Sequence, residues 1–226
     1  MKIIAVSDLH GNLIDIPKAD LLLLGGDLLP LSIQEYSASS RKWFQNKFIK
    51  WANHLPVDKV LFIGGNHDKY LYEKNDFYFK DTMNLFGKDD KVTYLEDELY
   101  NYNGITIYGT PWCKIFGNWS FMKSDPELNT LYSKIPENLD ILLTHDAPYG
   151  ASDILLQKDC AWADGNHIGN IPLAEAIKAK QPKYNFHGHL HSTNHEEELL
   201  GITKVYNTSI KNENYKIVYE PLIINI

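Results

Sequence analysis

Nine histidines occur in the 226 residues, and the sequence sets most of them beside aspartate, asparagine or glycine in short motifs. Asp8-Leu9-His10, Gly26-Asp27, Gly65-Asn66-His67-Asp68, His145-Asp146 and Gly188-His189-Leu190-His191 each stand just after a short apolar run. Carboxylate, amide oxygen and imidazole are the donor types that hold divalent cations. Each residue alone also has a plainer use: Asp8, Asp27 and Asn66 suit turns, and His145 suits a hydrogen-bonded core position. The repetition of the pattern, not any one member, points to a metal site.

Something must bring these residues together. The apolar runs 3–6, 20–24, 59–63, 105–108, 140–143 and 183–186 are rich in Ile, Val and Leu, which suits strands buried on both faces. Ligands of open α/β sheets gather at the carboxyl ends of the strands. Six runs with polar residues at that end predict one shared site. Helices are expected between the runs. Ser32-Ile33-Gln34-Glu35 has the form of a capping box, and Tyr36, Trp43, Phe44, Phe48, Trp51 and Leu55 share one broad helical face before Pro56. A second helix is predicted after Asp125-Pro126. A third is predicted over Pro172–Lys180, with Asn170 or Ile171 near its start. From Thr203 onward the chain reads as strands. No linker, repeat or low-complexity stretch interrupts it, so a single domain over 1–226 is expected.

The net charge of −7 and the lack of any basic block argue against non-specific nucleic-acid binding, which rests on Lys and Arg. Cys113 and Cys160 are too few for a disulfide framework and read as free thiols in a reducing compartment. The apolar run after Met1 is too short for a signal segment or a spanning helix. A cytoplasmic protein without membrane contact is expected.

The motifs named above, in that order and over about four-fifths of the chain, resemble the calcineurin-like metallophosphoesterases. A closer likeness, running from "YGTPW" (108–112) through "IPENLDILLTHDAPYG" to "HGHLH", is to the small metallophosphoesterase-domain-containing subgroup, whose members hydrolyse cyclic nucleotides and artificial phosphodiesters. The resemblance implies an α/β fold, a four-layer αββα sandwich of two mixed sheets flanked by helices. It also implies two divalent ions, about 3.5–4 Å apart as in two-metal hydrolases. By the family pattern Asp8, His10 and His191 take one ion, Asn66, His145 and His189 take the other, and Asp27 bridges them. Manganese is the expected ion; iron, zinc, cobalt and nickel suit the same imidazole-rich donors better than magnesium or calcium do.

Asp8 and Asp27 are the only carboxylates in that set, so a pair of divalent ions keeps surplus positive charge for an anionic substrate. The implied reaction is attack of a metal-bridging hydroxide on phosphorus. In it His67 gives a proton to the leaving group, and Asp68 orients His67 or a ligand. The expected substrate is a small phosphodiester. His187, ahead of the glycine, is expected to pack or hydrogen-bond rather than ligate. Gly165-Asn166-His167 repeats Gly-Asn-His without a preceding strand run and is rejected as a metal motif. His167 and Gly169 match a loop pattern of the closer subgroup, which allows a substrate-facing role. Trp112 and Trp119 either stack a base at the cleft rim or pack their loop.

Two other classes compete. A phosphoprotein phosphatase, phosphomonoesterase or nuclease could use the same scaffold, but the Gly-Asp-x-Val-Asp-Arg-Gly signature of the protein phosphatases is absent, Gly26-Asp27 being followed by Leu28-Leu29-Pro30. A non-catalytic interaction protein of this fold would have lost catalytic residues, whereas here the whole set is intact.

Overall fold

The fold is taken from a computed structural model that describes residues 1–87, 90–155 and 166–226. Cys160 and Gly165 lie outside the described residues; Cys113 is a buried free thiol.

The first half runs β1 (Lys2–Val6), β2 (Ala19–Leu24), α1 (Ser37–Trp43), a π-helical stretch over Phe44–Phe48, α2 (Ile49–His54), β3 (Val57–Phe62), α3 (Lys69–Glu73), α4 (Phe79–Met83) and β4 (Val92–Tyr94). The second runs β5 (Glu98–Tyr102), β6 (Ile105–Thr110), β7 (Cys113–Lys114), β8 (Met122–Lys123), α5 (Asp125–Tyr132), β9 (Ile141–Thr144), α6 (Ile171–Lys180), β10 (Tyr184–His187), β11 (Glu198–Leu200), β12 (Thr203–Asn207) and β13 (Leu222–Asn225). One sheet has the order β13-β1-β2-β3-β4 and the other β11-β12-β10-β9-β6-β5.

All six apolar runs form strands, three in each sheet. β1, β2 and β3 pair in parallel, as do β6, β9 and β10. Parallel pairing aligns their carboxyl ends, so every polar motif is delivered to the same side.

The alternation of side chains explains the layers. Ile4, Val6, Leu22, Leu24, Val60 and Phe62 face the helical side with Phe44, Phe48 and Phe86. Their neighbours Ile3, Ala5, Leu21, Leu23 and Leu61 face Ile107, Ile141, Leu143 and Phe186 of the other sheet. Leu142 and Val205 turn outward to Leu128, Tyr132, Leu173 and Ile177 of α5 and α6. Three apolar seams separate four layers, the αββα sandwich.

Two helix starts depart from the expectations. The Ser32–Glu35 pattern is a turn, and the helix begins at Ser37 behind Tyr36, which makes no side-chain cap. Its Ile33 carbonyl instead accepts the Ser40 hydroxyl at 3.0 Å. The cap of α5 is Ser124, not Asp125: its amide and hydroxyl both donate to Glu127 Oε2, at 2.9 and 2.7 Å. The strands expected from Thr203 onward divide between the two sheets. β13 pairs antiparallel with β1, Lys2 opposite Asn225, while β12 pairs with β10. α6 starts as expected, with Asn170 Oδ1 accepting from Leu173 N at 3.0 Å.

Ser124→Ala is expected to cost about 1 kcal/mol, a typical N-cap loss, and to lower Tm by about 2–4 °C for a chain of this size. Differential scanning calorimetry would check it.

Candidate metal centre

The strand ends bring Asp8, His10, Asp27, Asn66, His67, His145, His189 and His191 into one buried cluster. Asp8 follows β1, Asp27 follows β2, Asn66 and His67 follow β3, His145 follows β9, and His189 and His191 follow β10. Asp8, His10, Asp27 and His189 adopt φ of +59°, +42°, +54° and +66°. Non-glycine residues in the left-handed region cost free energy and concentrate at functional sites. Four of them in one cluster mark a backbone bent to converge its side chains.

Two glycines make the approach possible. A Cβ on Gly188 would fall on Ser7 Oγ and Asp8 Oδ2, and one on Gly65 would fall on Asp27 Oδ1 and within 2.7 Å of His145 Cε1. Gly188→Ala is therefore expected to push the 188–191 turn away from Asp8, at about 1–3 kcal/mol for overpacking. Thermal melts with and without Mn²⁺ should show both a lower Tm and a smaller shift on adding the ion.

The polar geometry falls into two halves around Asp27. Its Oδ2 lies 3.7 Å from His10 Nε2 and its Oδ1 3.4 Å from His145 Nε2. In one half Asp8 Oδ1 is 3.2 Å from His191 Nε2. In the other, Asn66 Oδ1 is 2.9 Å from His145 Nε2, and the His189 ring lies 5.2 Å from that of His145. Asp8, His10 and His191 present donor atoms all within 4.8 Å of one another, and so do Asp8, Asp27 and His145. The remote ring nitrogens are already used: His145 Nδ1 donates to Gly25 O at 2.8 Å, and His191 Nδ1 to Asn212 O at 3.0 Å. That leaves Nε2 of each ring facing inward.

Electrostatics match a cation site. Burial alone would raise the Asp8 and Asp27 carboxyls, but His191 and His145 respectively hold them below the usual carboxylate range. Burial would lower His145 and His191, yet Asp27 lifts the first to about 10 and Asp8 lifts the second to about 9. His10 and His189 are pushed down to about 4 by burial. Cations bound there would offset the same two carboxylates. The fit is best seen at His10. Both of its ring nitrogens are buried without a hydrogen-bond partner, a state rare in native proteins, and a cation between His10, Asp8 and His191 would take up one of them.

His67 sits at the edge of the cluster, its Nε2 4.0 Å from Asp27 Oδ2 and its ring 4.6 Å from Trp119. Asp68 does not touch it. The buried Asp68 carboxylate accepts from Leu28 N (3.0 Å), Leu29 N (2.9 Å) and Gly65 N (2.9 Å). Burial and the Asp27 charge push its pKa up to about 7. Its place is to pin the turns that carry Asp27 and Asn66. Gln34 takes the contact with His67, at 2.7 Å from Nδ1.

A cavity of about 330 Å³ opens onto Asp27, Asn66, His67, His189 and His191, walled by Phe116, Trp119, Leu155, Ile168 and Tyr215 with Lys114 and Glu213. Trp112 is not on that wall. Its indole donates to Asp97 Oδ2 at 2.7 Å, and its ring packs against Phe121, so of the two tryptophans it is Trp119 that lines the cavity. His167 Nδ1 donates to the buried Asp153 at 2.6 Å, while its neighbour Ile168 reaches the cavity. His187 is buried, with Nδ1 donating to Gly188 O at 3.1 Å, and belongs to none of the cation-holding groups among the described residues.

Sequence reasoning missed Gln34, Tyr215, Phe116 and Cys113. The Cys113 thiol lies within 4.8 Å of donor atoms of His145 and His189, and Tyr215 stands edge-on to His10 at 4.9 Å. None carries a motif; only folding brings them here.

The four-layer sandwich with an Asp/Asn/His cluster at the strand ends defines a metal-dependent phosphoric ester hydrolase. The chain belongs to the calcineurin-like phosphoesterase family, whose model matches residues 1–193. It is 26% identical over 245 residues to the Homo sapiens metallophosphoesterase domain-containing protein 1, covering 100% of this chain and 71% of that protein. It is 28% identical over 253 residues to the Caenorhabditis elegans UPF0046 protein T07D4.2, covering 100% and 60%. Among solved structures, TT1561 of Thermus thermophilus superposes with a TM-score of 0.59 at 18% identity, over 91% of this chain and 88% of that one, a likeness of fold. The family implies divalent metal ions and phosphorylated substrates. No helix among the described residues is long and apolar enough to cross a membrane.

Proposed function

We propose that this chain hydrolyses small phosphodiesters at a pair of divalent ions, manganese first among them, held by the cluster. Asp8, His10 and His191 hold one ion, Asn66, His145 and His189 hold the other, and Asp27 serves both. The observation that carries this is the division of the Asp27 carboxylate, one oxygen toward His10 and the other toward His145. When bound, such a pair brings the pKa of water toward neutrality and draws charge from the phosphoryl oxygens.

The protein's own residues do the rest. Asp27 Oδ1 accepts the His67 amide at 2.8 Å, which fixes His67 beside the reacting centre, where Nε2 delivers a proton to the departing oxygen. Phe116, Trp119, Ile168 and Tyr215 offer apolar and aromatic surface to one ester arm, which keeps water off it. On the far side of His67 and Trp119 a second, polar hollow of about 230 Å³ is lined by Glu35, Lys69, Tyr72, Asn118 and Ser120. Asn66, His67 and Trp119 border both spaces. A phosphorus held there has room for an organic group on each side, which favours a diester over a monoester.

With Mn²⁺ the purified protein is expected to hydrolyse bis(p-nitrophenyl) phosphate with a kcat/KM at least about tenfold above that for p-nitrophenyl phosphate. Adding Mn²⁺ should also raise Tm, through about 2.7 kcal/mol of stabilisation at 100 Kd. A metal-loaded protein that turns over neither ester would refute the reading, and a monoester preference would refute its diester part.

A further inference from the structure

We propose that Gln34 is the positioning residue of the reaction, holding His67 in the one tautomer and orientation that turns Nε2 to the scissile ester. The inference rests on the reading of His67 as proton donor given above. An amide oxygen can only accept, so the 2.7 Å contact from His67 Nδ1 to Gln34 Oε1 places a proton on Nδ1. The ring's other nitrogen is thereby reserved for the site, where it faces Asp27 Oδ2; the imidazolium gives its Nε2 proton to the leaving oxygen, and the Nδ1–H tautomer held by Gln34 is the form that remains after the transfer. The ring is also boxed in by aromatic neighbours, His10 at 5.0 Å and Trp119 at 4.6 Å between centroids, so the Nδ1 contact decides which way it points. Histidines that exchange protons or bind metals are commonly set by such a partner on the far nitrogen.

Gln34 is itself held. Ile33 packs against the core and its amide donates to Pro30 O at 3.1 Å, while Glu35 pairs with Lys69 at 2.7 Å on the other side. The choice of amide over carboxylate has a physical reason. Asp8, Asp27 and Asp68 are already buried in the neighbourhood; a further negative charge facing His67 would reduce the positive field that favours an anionic substrate. A neutral acceptor orients the ring without that cost.

Two measurements test this. In long-range ¹H–¹⁵N spectra of the zinc-loaded full chain at alkaline pH, with His67 identified by its absence in His67→Ala, the ring should be protonated at Nδ1. In Gln34→Ala the two tautomers should mix. Protonation at Nε2 in the wild type overturns the inference whatever the enzyme's activity.

In kinetics with Mn²⁺, Gln34→Ala should lower kcat about 10–30-fold for a diester with an alkyl leaving group, leave KM within about threefold, and barely affect a nitrophenyl diester, whose leaving group needs no proton. Gln34→Glu, which keeps an acceptor for Nδ1, should restore most of the alkyl-ester kcat relative to Gln34→Ala, with a raised KM from its added negative charge. In the His67→Ala background Gln34→Ala should have no further effect. A Gln34→Ala loss that persists unchanged in that background, or that is equal for both leaving groups, overturns the inference. Should His67→Ala itself leave the rate intact, the role given to His67 fails rather than that of Gln34 alone, and the spectra still report the tautomer.

Discussion

His67→Ala is expected to lower kcat for an alkyl phosphodiester by about 10²–10⁴-fold, the usual worth of a positioned general acid, while both ions stay bound. The separation of effects follows from the geometry. His67 Nε2 stands 4.0 Å from Asp27 Oδ2, at the rim of the cluster and on the cavity wall, not between the two groups of donors. Removing the ring takes away the proton for the leaving oxygen and little of the grip on the cations. The loss should shrink toward a few-fold for a nitrophenyl ester, which leaves unaided. Steady-state kinetics on the two diesters, with metal content measured on the same preparations, would check it. Equal losses for both, or loss of metal, would show that His67 acts as a ligand or a structural prop.

Asp27→Asn is the complementary experiment, with loss of both activity and metal. Asparagine keeps the size of aspartate and tolerates its left-handed φ of +54°, so the fold is largely spared. What goes is the negative charge that faces His10, His67 and His145 together. An amide offers one oxygen where two are needed and nothing to offset the ions. We expect kcat/KM to fall on the order of 10³ or more, beyond the roughly 10–100-fold that loss of a merely supporting partner costs. Metal content should drop below about one ion per chain. Elemental analysis after gel filtration is the decisive measurement. Retention of two ions would mean that Asp27 does not join the halves.

Much of this site could be read from the chain because each donor follows directly on a buried strand. β1 through Asp8, β3 through Asn66 and β10 through His189 are local sentences: an apolar run, a turn, a polar residue. The layered fold followed from the family likeness of the same motifs. What escaped were contacts between elements far apart. Ser32-Ile33-Gln34-Glu35 satisfies a helix-start pattern, but the turn that it forms sets Gln34 against His67, 33 positions away, and the helix waits until Ser37. Asp68 adjoins His67 in sequence, yet its carboxylate turns back to Leu28, Leu29 and Gly65. Adjacency along a chain says little about which way two successive side chains point. Trp112 and Trp119 are equal candidates as letters; the carboxylate of Asp97 claims the first and leaves the second at the cavity.

The placement of β13 bears on how the protein is made. β1 supplies Asp8 and His10 from the first ten residues, but one of its two neighbours is the strand at 222–225. Between β12 and that strand the chain passes the donors, giving His191 its Asn212 carbonyl and His10 its Tyr215 neighbour. A ribosome-bound chain lacking this stretch would leave the outer rim of β1 unzipped and the site half-walled. Closing a loop of that span is an entropic step that comes late. Cations captured before that strand docks would therefore be held loosely, and the centre would mature only when β13 closes on β1.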